Sequence, residues 1–237
     1  MTNRIFDTKI VYIFLGSICI FIIGMIDDWI RIKDGDLKAL PKMIFKVIAC
    51  IIAYTGGVRF EGFASLTDNT YITLPNILQL ILTVVWLFGV TSVINFTDGM
   101  DGLAGGISCI SVFTLFIIAL EMNNSQGALM SILLVGICLG YLIYNKFPSK
   151  VLMGYAGTTF IGFILGVISL DGASKQAAII SIFAPIFALV LPTFDNIYVV
   201  YRRIKLRKPI YAGNPTQIHY RLVAKGLTQN RLCIDFI

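Results

Sequence analysis

Asn95-Phe96-Thr97-Asp98-Gly99-Met100-Asp101-Gly102-Leu103-Ala104 lies where one apolar run, Ile77 to Ile94, gives way to another, Leu103 to Leu120. Runs of that length cross hydrocarbon as helices, so the stretch is a polar junction at a membrane surface. It carries two carboxylates and an amide. Ionisable groups at the mouth of transmembrane segments are costly to desolvate and are functional candidates by default. Gly99 and Gly102 permit a tight turn and close approach of backbone to a bulky ligand, and Asp98 and Asp101 are of the type that binds a hard divalent cation. The plain alternative is a polar turn between two helices, and these ten residues alone do not decide between the two.

The rest of the chain shows the same character. Of 237 residues, 57% are hydrophobic and only 14% charged, a composition far from that of soluble domains. Repeated apolar runs of roughly 17 to 22 residues match helices spanning a bilayer. Backbone in lipid must satisfy its own hydrogen bonds, so the fold class is all-α, a polytopic transmembrane bundle. The runs, in order, are Ile10 to Ile26, Met43 to Tyr54, Ile77 to Ile94, Leu103 to Leu120, Gly127 to Tyr144, Val151 to Leu170 and Ala177 to Val200. That makes about seven spans in one membrane-embedded domain over 1–237. A short β-hairpin outside the membrane is expected between Gly56 and Pro75, and a basic cytoplasmic tail over 201–237.

Lys46 falls one turn inside the second run, where its stem is expected to snorkel to the interface. Glycines 154, 157, 162 and 166 favour close helix contact in the sixth, and Pro185, Pro192 and Asp195 a kink in the seventh. Cys19, Cys50, Cys109 and Cys138 lie within apolar runs, without metal or disulfide spacing, and read as small packing residues. The first run lacks a small-residue cleavage site and is followed by further spans, so it does not read as a removable signal peptide.

The net charge of +6 does not indicate nucleic acid, because the basic residues cluster in short loops as topology signals. Threading the spans with the amino terminus outside leaves only Arg4, Lys9, Arg59 and Lys175 on the outer side. The same threading brings Asp27, Asp28, Asp98, Asp101, Asn145, Asp195 and His219 to the cytoplasmic face, a result not built into the charge count. Acids gathered among lysines and arginines suit phosphates held through Mg²⁺, with Mn²⁺ as a substitute. Taken singly, each feature has a bland explanation: a helix-end acid pair, a solvated histidine, lysines that orient the chain or meet anionic lipid.

Taken together they resemble the polyprenyl-phosphate N-acetylhexosamine-1-phosphate transferases, glycosyltransferase family 4. The matching residues are Gly24-Met25-Ile26-Asp27-Asp28, Leu37-Lys38-Ala39-Leu40-Pro41-Lys42, the Asn95 to Ala104 stretch, Asn145, Phe147 to Gly154 and Asp195, in the family's order along nearly the whole chain. The resemblance implies transfer of a sugar 1-phosphate, with GlcNAc-1-phosphate favoured, from a UDP-N-acetylhexosamine to undecaprenyl phosphate with release of UMP. The setting would be a bacterial cell membrane with the active face cytoplasmic, and a homodimer is a further expectation.

It also implies a catalytic and metal-binding set of Asp27, Asp28 and Asp98, with Asp27 or Asp28 accepting a proton from the lipid phosphate. The substrate-binding set would be Asn95, Asp101, Lys38, Lys42, Asn145, His219 and Arg221. The chain departs from the pattern where Tyr155 stands at an acidic metal-ligand position, where Gln217 replaces one of two histidines, and where Asn214 replaces an acid. The family's amino-terminal spans and its carboxy-terminal end are expected to be missing. These departures support an alternative, a catalytically silent homologue that binds lipid phosphate or a partner. A transporter fits less well, since transporter sites lie near the bilayer midplane.

Overall fold

A computed structural model describes residues 8–33, 35, 37–64 and 71–171, with Tyr198, Tyr201 and Lys205. The seventh run and the basic tail, including Asp195, Asn214, Gln217, His219 and Arg221, lie outside the described residues apart from those three positions. Six helices are described: α1 (Thr8–Ile32), α2 (Ala39–Thr55), α3 (Asn76–Thr97), α4 (Leu103–Glu121), α5 (Ser125–Asn145) and α6 (Gly154–Asp171). By length and apolarity α1, α3, α4 and α5 can each cross a membrane, whereas α2 and Gly154–Leu170 are shorter. The chain is a multi-pass membrane protein.

Helices α1 and α2 each bury one stripe. In α1 the buried residues are Ile13, Gly16, Ser17, Ile20, Ile23, Gly24 and Asp27, three or four apart and therefore on one face. In α2 they are Lys46, Ala49, Cys50 and Ala53. Helix α6 is different, being buried nearly all round. Its Phe163, Val167 and Leu170 pack with Ile20, Ala49 and Leu87, while its Ile161, Leu165 and Ile168 pack with Ile94, Leu103, Val112 and Leu134. It is thus the central element between an α1–α2 layer and an α4–α5 pair, with α3 touching both cores. Crossing so close to α1 requires a missing side chain. A Cβ on Gly24 would run into the backbone of Ala156.

Strands β1 (Gly62–Ala64) and β2 (Tyr71–Thr73) pair antiparallel with Phe63 opposite Ile72. They lie between α2 and α3, at the end of the bundle away from Asp27, where Tyr54 Oη donates to the Asn76 carbonyl at 3.1 Å.

Three expectations are corrected. Helix α1 does not stop at Ile26 but continues to Ile32, so Asp27 and Asp28 are helical residues with fixed directions. Helix α6 starts at Gly154, not Val151, because Gly154 takes φ +68° and turns the chain into the helix. Lys46 does not snorkel. Its side chain is 6% exposed, and its ammonium lies over the rings of Phe88 and Tyr155 at 5.5 and 5.2 Å, with Ser92 Oγ at 3.4 Å.

Candidate active site

The end of α1, the start of α2, the end of α3, the start of α4, the end of α5 and the start of α6 meet at one end of the bundle. Side-chain contacts tie them together there. On the exit turn of α1, Asp27 faces inward with no exposed surface, and Lys42 Nζ lies 2.6 Å from its Oδ1. Apart from this ion pair neither oxygen of Asp27 has a hydrogen-bond partner among the described residues. Buried carboxylates are normally paired and hydrogen-bonded on every side, so Asp27 retains unused acceptor capacity.

Asp28, the next residue, points to α6. Its Oδ1 accepts the Tyr155 N–H at 2.9 Å and its Oδ2 the Ala156 N–H at 3.0 Å. These amides are among the first in α6, with no partner inside that helix, and a carboxylate there also complements the helix dipole. A Cβ at Gly154 would sit 2.7 Å from Asp28 Oδ2, so the absent side chain makes room for the cap.

The Asn95 to Ala104 stretch is divided between a helix end and a turn. Asn95 belongs to the last turn of α3, and its Oδ1 accepts from Thr158 Oγ1 at 2.9 Å. Asp98 is the C-terminal cap residue of α3. Burial, followed by the neighbouring charges of Asp101 and Asp28, pushes its carboxyl up to about 6. Asp101 Oδ2 accepts the Ser149 N–H at 3.1 Å. Gly102, at φ +78°, gives its N–H to Asn145 Oδ1 at 2.8 Å, and Asn145 Nδ2 donates to the Val151 carbonyl at 2.8 Å. Asn145 is 2% exposed and joins the turn before α4 to the loop before α6.

The structure therefore brings Asp27, Asp28, Asn95, Asp98, Asp101, Lys42 and Asn145 to one region. Lys38 is exposed just ahead of α2. Two partners had not been singled out: Thr158, which meets Asn95, and Ser149, which meets Asp101. Tyr155 is 9% exposed, so it is a buried residue and not an interfacial aromatic. Its ring lies 4.9 Å from Lys42 Nζ.

Among the described residues no three acidic, imidazole or thiol groups form a metal-binding set. The donors still fit Mg²⁺ of the kind bound by one or two carboxylates, water and substrate phosphate. Among the described residues Asp27 Oδ2 has no partner, and Asp98 is crowded by like charges that a cation would offset. Asp28 has already committed both oxygens to α6, and Tyr155 supplies no carboxylate.

The comparisons with known proteins bear on the family. The family model for glycosyl transferase family 4 matches residues 10–173. A probable undecaprenyl-phosphate N-acetylglucosaminyl 1-phosphate transferase of Bacillus subtilis is 33% identical over 94% of this chain and 60% of its own length. A phospho-N-acetylmuramoyl-pentapeptide-transferase of Halalkalibacterium halodurans is 29% identical over 98% of this chain and 71% of its own. A decaprenyl-phosphate N-acetylglucosaminephosphotransferase of Mycolicibacterium smegmatis is 26% identical over 96% and 60%. The chain spans between 60% and 71% of the length of these relatives. On the extent of the match to its model, the chain belongs to glycosyl transferase family 4.

Proposed function

We propose that the chain transfers N-acetylhexosamine 1-phosphate, most simply GlcNAc-1-phosphate, from a UDP-sugar to undecaprenyl phosphate at the cytoplasmic face of a bacterial membrane. An oxygen of the lipid phosphate attacks the sugar-bearing phosphorus, a new phosphoanhydride forms, the bond to the uridine-bearing phosphate breaks, and UMP leaves. A phosphate monoester with its second pKa near 6 is largely dianionic at neutral pH, so the obstacle is repulsion between two anions more than removal of a proton. Bound Mg²⁺ would supply that neutralisation.

Asp27 and Asp98 would hold the ion, Lys42 would keep Asp27 oriented, and Asp28 would fix the start of α6 against α1. Asn95 and the exposed Lys38 would meet substrate, as would His219 and Arg221 from the tail. The observation that carries the reading is Asp27, a wholly buried carboxylate with one ion pair and no further hydrogen-bond partner among the described residues. The distribution of basic residues supports the cytoplasmic orientation. The activity in the name of the Bacillus relative favours GlcNAc over the muramoyl-pentapeptide in that of the Halalkalibacterium relative.

A second reading, a catalytically silent homologue that binds lipid phosphate, is favoured by Tyr155 and by the lack of a three-donor metal set among the described residues. Purified chain given UDP-GlcNAc, undecaprenyl phosphate and Mg²⁺ separates the two. The transferase reading expects UMP release that Asp27→Asn lowers by on the order of 100-fold, the range lost with one electrostatic group. No UMP above an Asp98→Asn control would sink it.

A further inference from the structure

Lys42 owes its place on Asp27 to more than the carboxylate. A lysine has a long, flexible stem and a compact ammonium that is free to wander, yet this one is only 16% exposed and lies 2.6 Å from Asp27 Oδ1. The same ammonium lies 4.9 Å from the centre of the Tyr155 ring. Lys46, one turn further along α2, lies 5.2 Å from that ring. Two like charges one turn apart repel each other. The negative face of an aromatic ring attracts both, and most strongly where water is excluded.

The ring is itself anchored. The Tyr155 N–H is held by Asp28, and Gly24 lets the following residue press against α1. Among the described residues Lys46 makes a single hydrogen bond, to Ser92, and has the Phe88 ring as its other neighbour. A buried ammonium partnered in this way is costly unless it serves the site.

We propose that Tyr155 is a positioning residue: its ring, locked to the acid pair through its own backbone, seats Lys42 on Asp27, and Lys46 is the buried second cation sharing that seat. The ring does this work and the hydroxyl does not, for the phenol oxygen makes no hydrogen bond among the described residues. The consequence for turnover rests on the transferase reading, whereas the seating of Lys42 does not.

The test uses the full chain in detergent micelles. Each lysine's acylation by an amine-selective ester is followed by mass spectrometry, alongside UMP release. Tyr155→Phe keeps the ring and is expected to stay within about twofold of the unaltered chain on both measures, while Tyr155→Met raises Lys42 acylation about fivefold or more, leaves Lys38 unchanged and lowers turnover about tenfold. Lys46→Met, which leaves the ring to Lys42 alone, is expected to slow Lys42 acylation about twofold; it carries the test where Tyr155→Met does not fold.

The proposal is overturned if Tyr155→Met leaves Lys42 as protected as before, if Tyr155→Phe exposes it equally, or if Lys46→Met leaves its rate unchanged or faster. An unaltered chain that releases no UMP but shows the expected acylation pattern supports the seat and counts against the transferase reading.

Discussion

Two acidic pairs stand at the same end of the bundle, Asp27-Asp28 within α1 and Asp98 with Asp101 around the turn into α4. Their spacings differ, one residue in the first and three in the second, but the division of labour is alike. In each pair one carboxylate is committed to backbone of the segment that leads into α6. Asp28 takes the amides of Tyr155 and Ala156, and Asp101 takes that of Ser149. The other member is left with negative charge that the protein does not fully offset. Among the described residues Asp27 has an ion pair but no further hydrogen bond, and Asp98 is pushed up to about 6 by burial and by its acidic neighbours. One carboxylate of each pair builds the site and the other is available to it, so the four acids are not interchangeable even though all could be drawn into one cluster.

The largest effect on stability should come from breaking the structural member of the first pair. Asp28→Ala leaves two amides at the head of α6 without their acceptor and removes a charge from the positive end of the helix dipole. Charge-assisted bonds and N-terminal caps of this kind together suggest a loss of about 2 to 3 kcal/mol. Melting curves in detergent should show it, with Asp28→Asn, which retains one acceptor oxygen, roughly halfway. If Asp28→Ala melts with the unaltered chain, Asp28 is not what joins α1 to α6, and the contrast with Asp27 disappears.

Asp98 should behave in the opposite sense. Its raised carboxyl binds a proton more tightly in the folded chain than in the unfolded one, so folded stability falls as pH rises from about 4 to about 6 and the full cost is present above that window. Asp98→Asn removes the cost. The variant should be more stable than the unaltered chain at pH 8 by about 2 kcal/mol, and no more stable near pH 3, where both folded and unfolded states carry the proton. The same substitution is expected to abolish turnover, so stability and activity should move apart. Added Mg²⁺ should narrow the gap at pH 8 by stabilising only the chain that keeps the carboxylate. A variant less stable at pH 8 would place Asp98 with Asp28 among the structural acids.

This division was only partly legible in the sequence. Apolar runs were enough to place all six described helices and the turn at Asn95 to Ala104, because burial in lipid acts on short stretches of chain. They did not show that α1 continues past its acids, since a helix tolerates Asp27 and Asp28 once α2 and α6 supply partners for them. Nor could they show which acid of each pair is engaged. That depends on Ser149, Tyr155 and Ala156, residues 48 to 128 positions away in the chain, and their role lies in main-chain amides that carry no side-chain signature. Lys46 was visible as a charge in an apolar run, but snorkelling and burial predict the same sequence. Only the rings of Phe88 and Tyr155 distinguish them.

The smallest expected effect belongs to Asp101. Its Oδ2 accepts the Ser149 N–H at 3.1 Å, and Asn145 secures the same two segments independently through Gly102 and Val151. Because Asn145 keeps those segments joined, Asp101→Ala should cost about 1 kcal/mol, against the larger loss at Asp28. It should also lower the carboxyl of Asp98 by removing one of the like charges that raise it. The pH at which the advantage of Asp98→Asn levels off, and the size of that advantage, should then both fall when both are built on Asp101→Ala. That change separates a bond from a field. If Asp101 served only to hold Ser149, the stability loss would appear and the plateau would stay in place; a lower plateau with little loss would make its charge the larger part of its contribution to the turn.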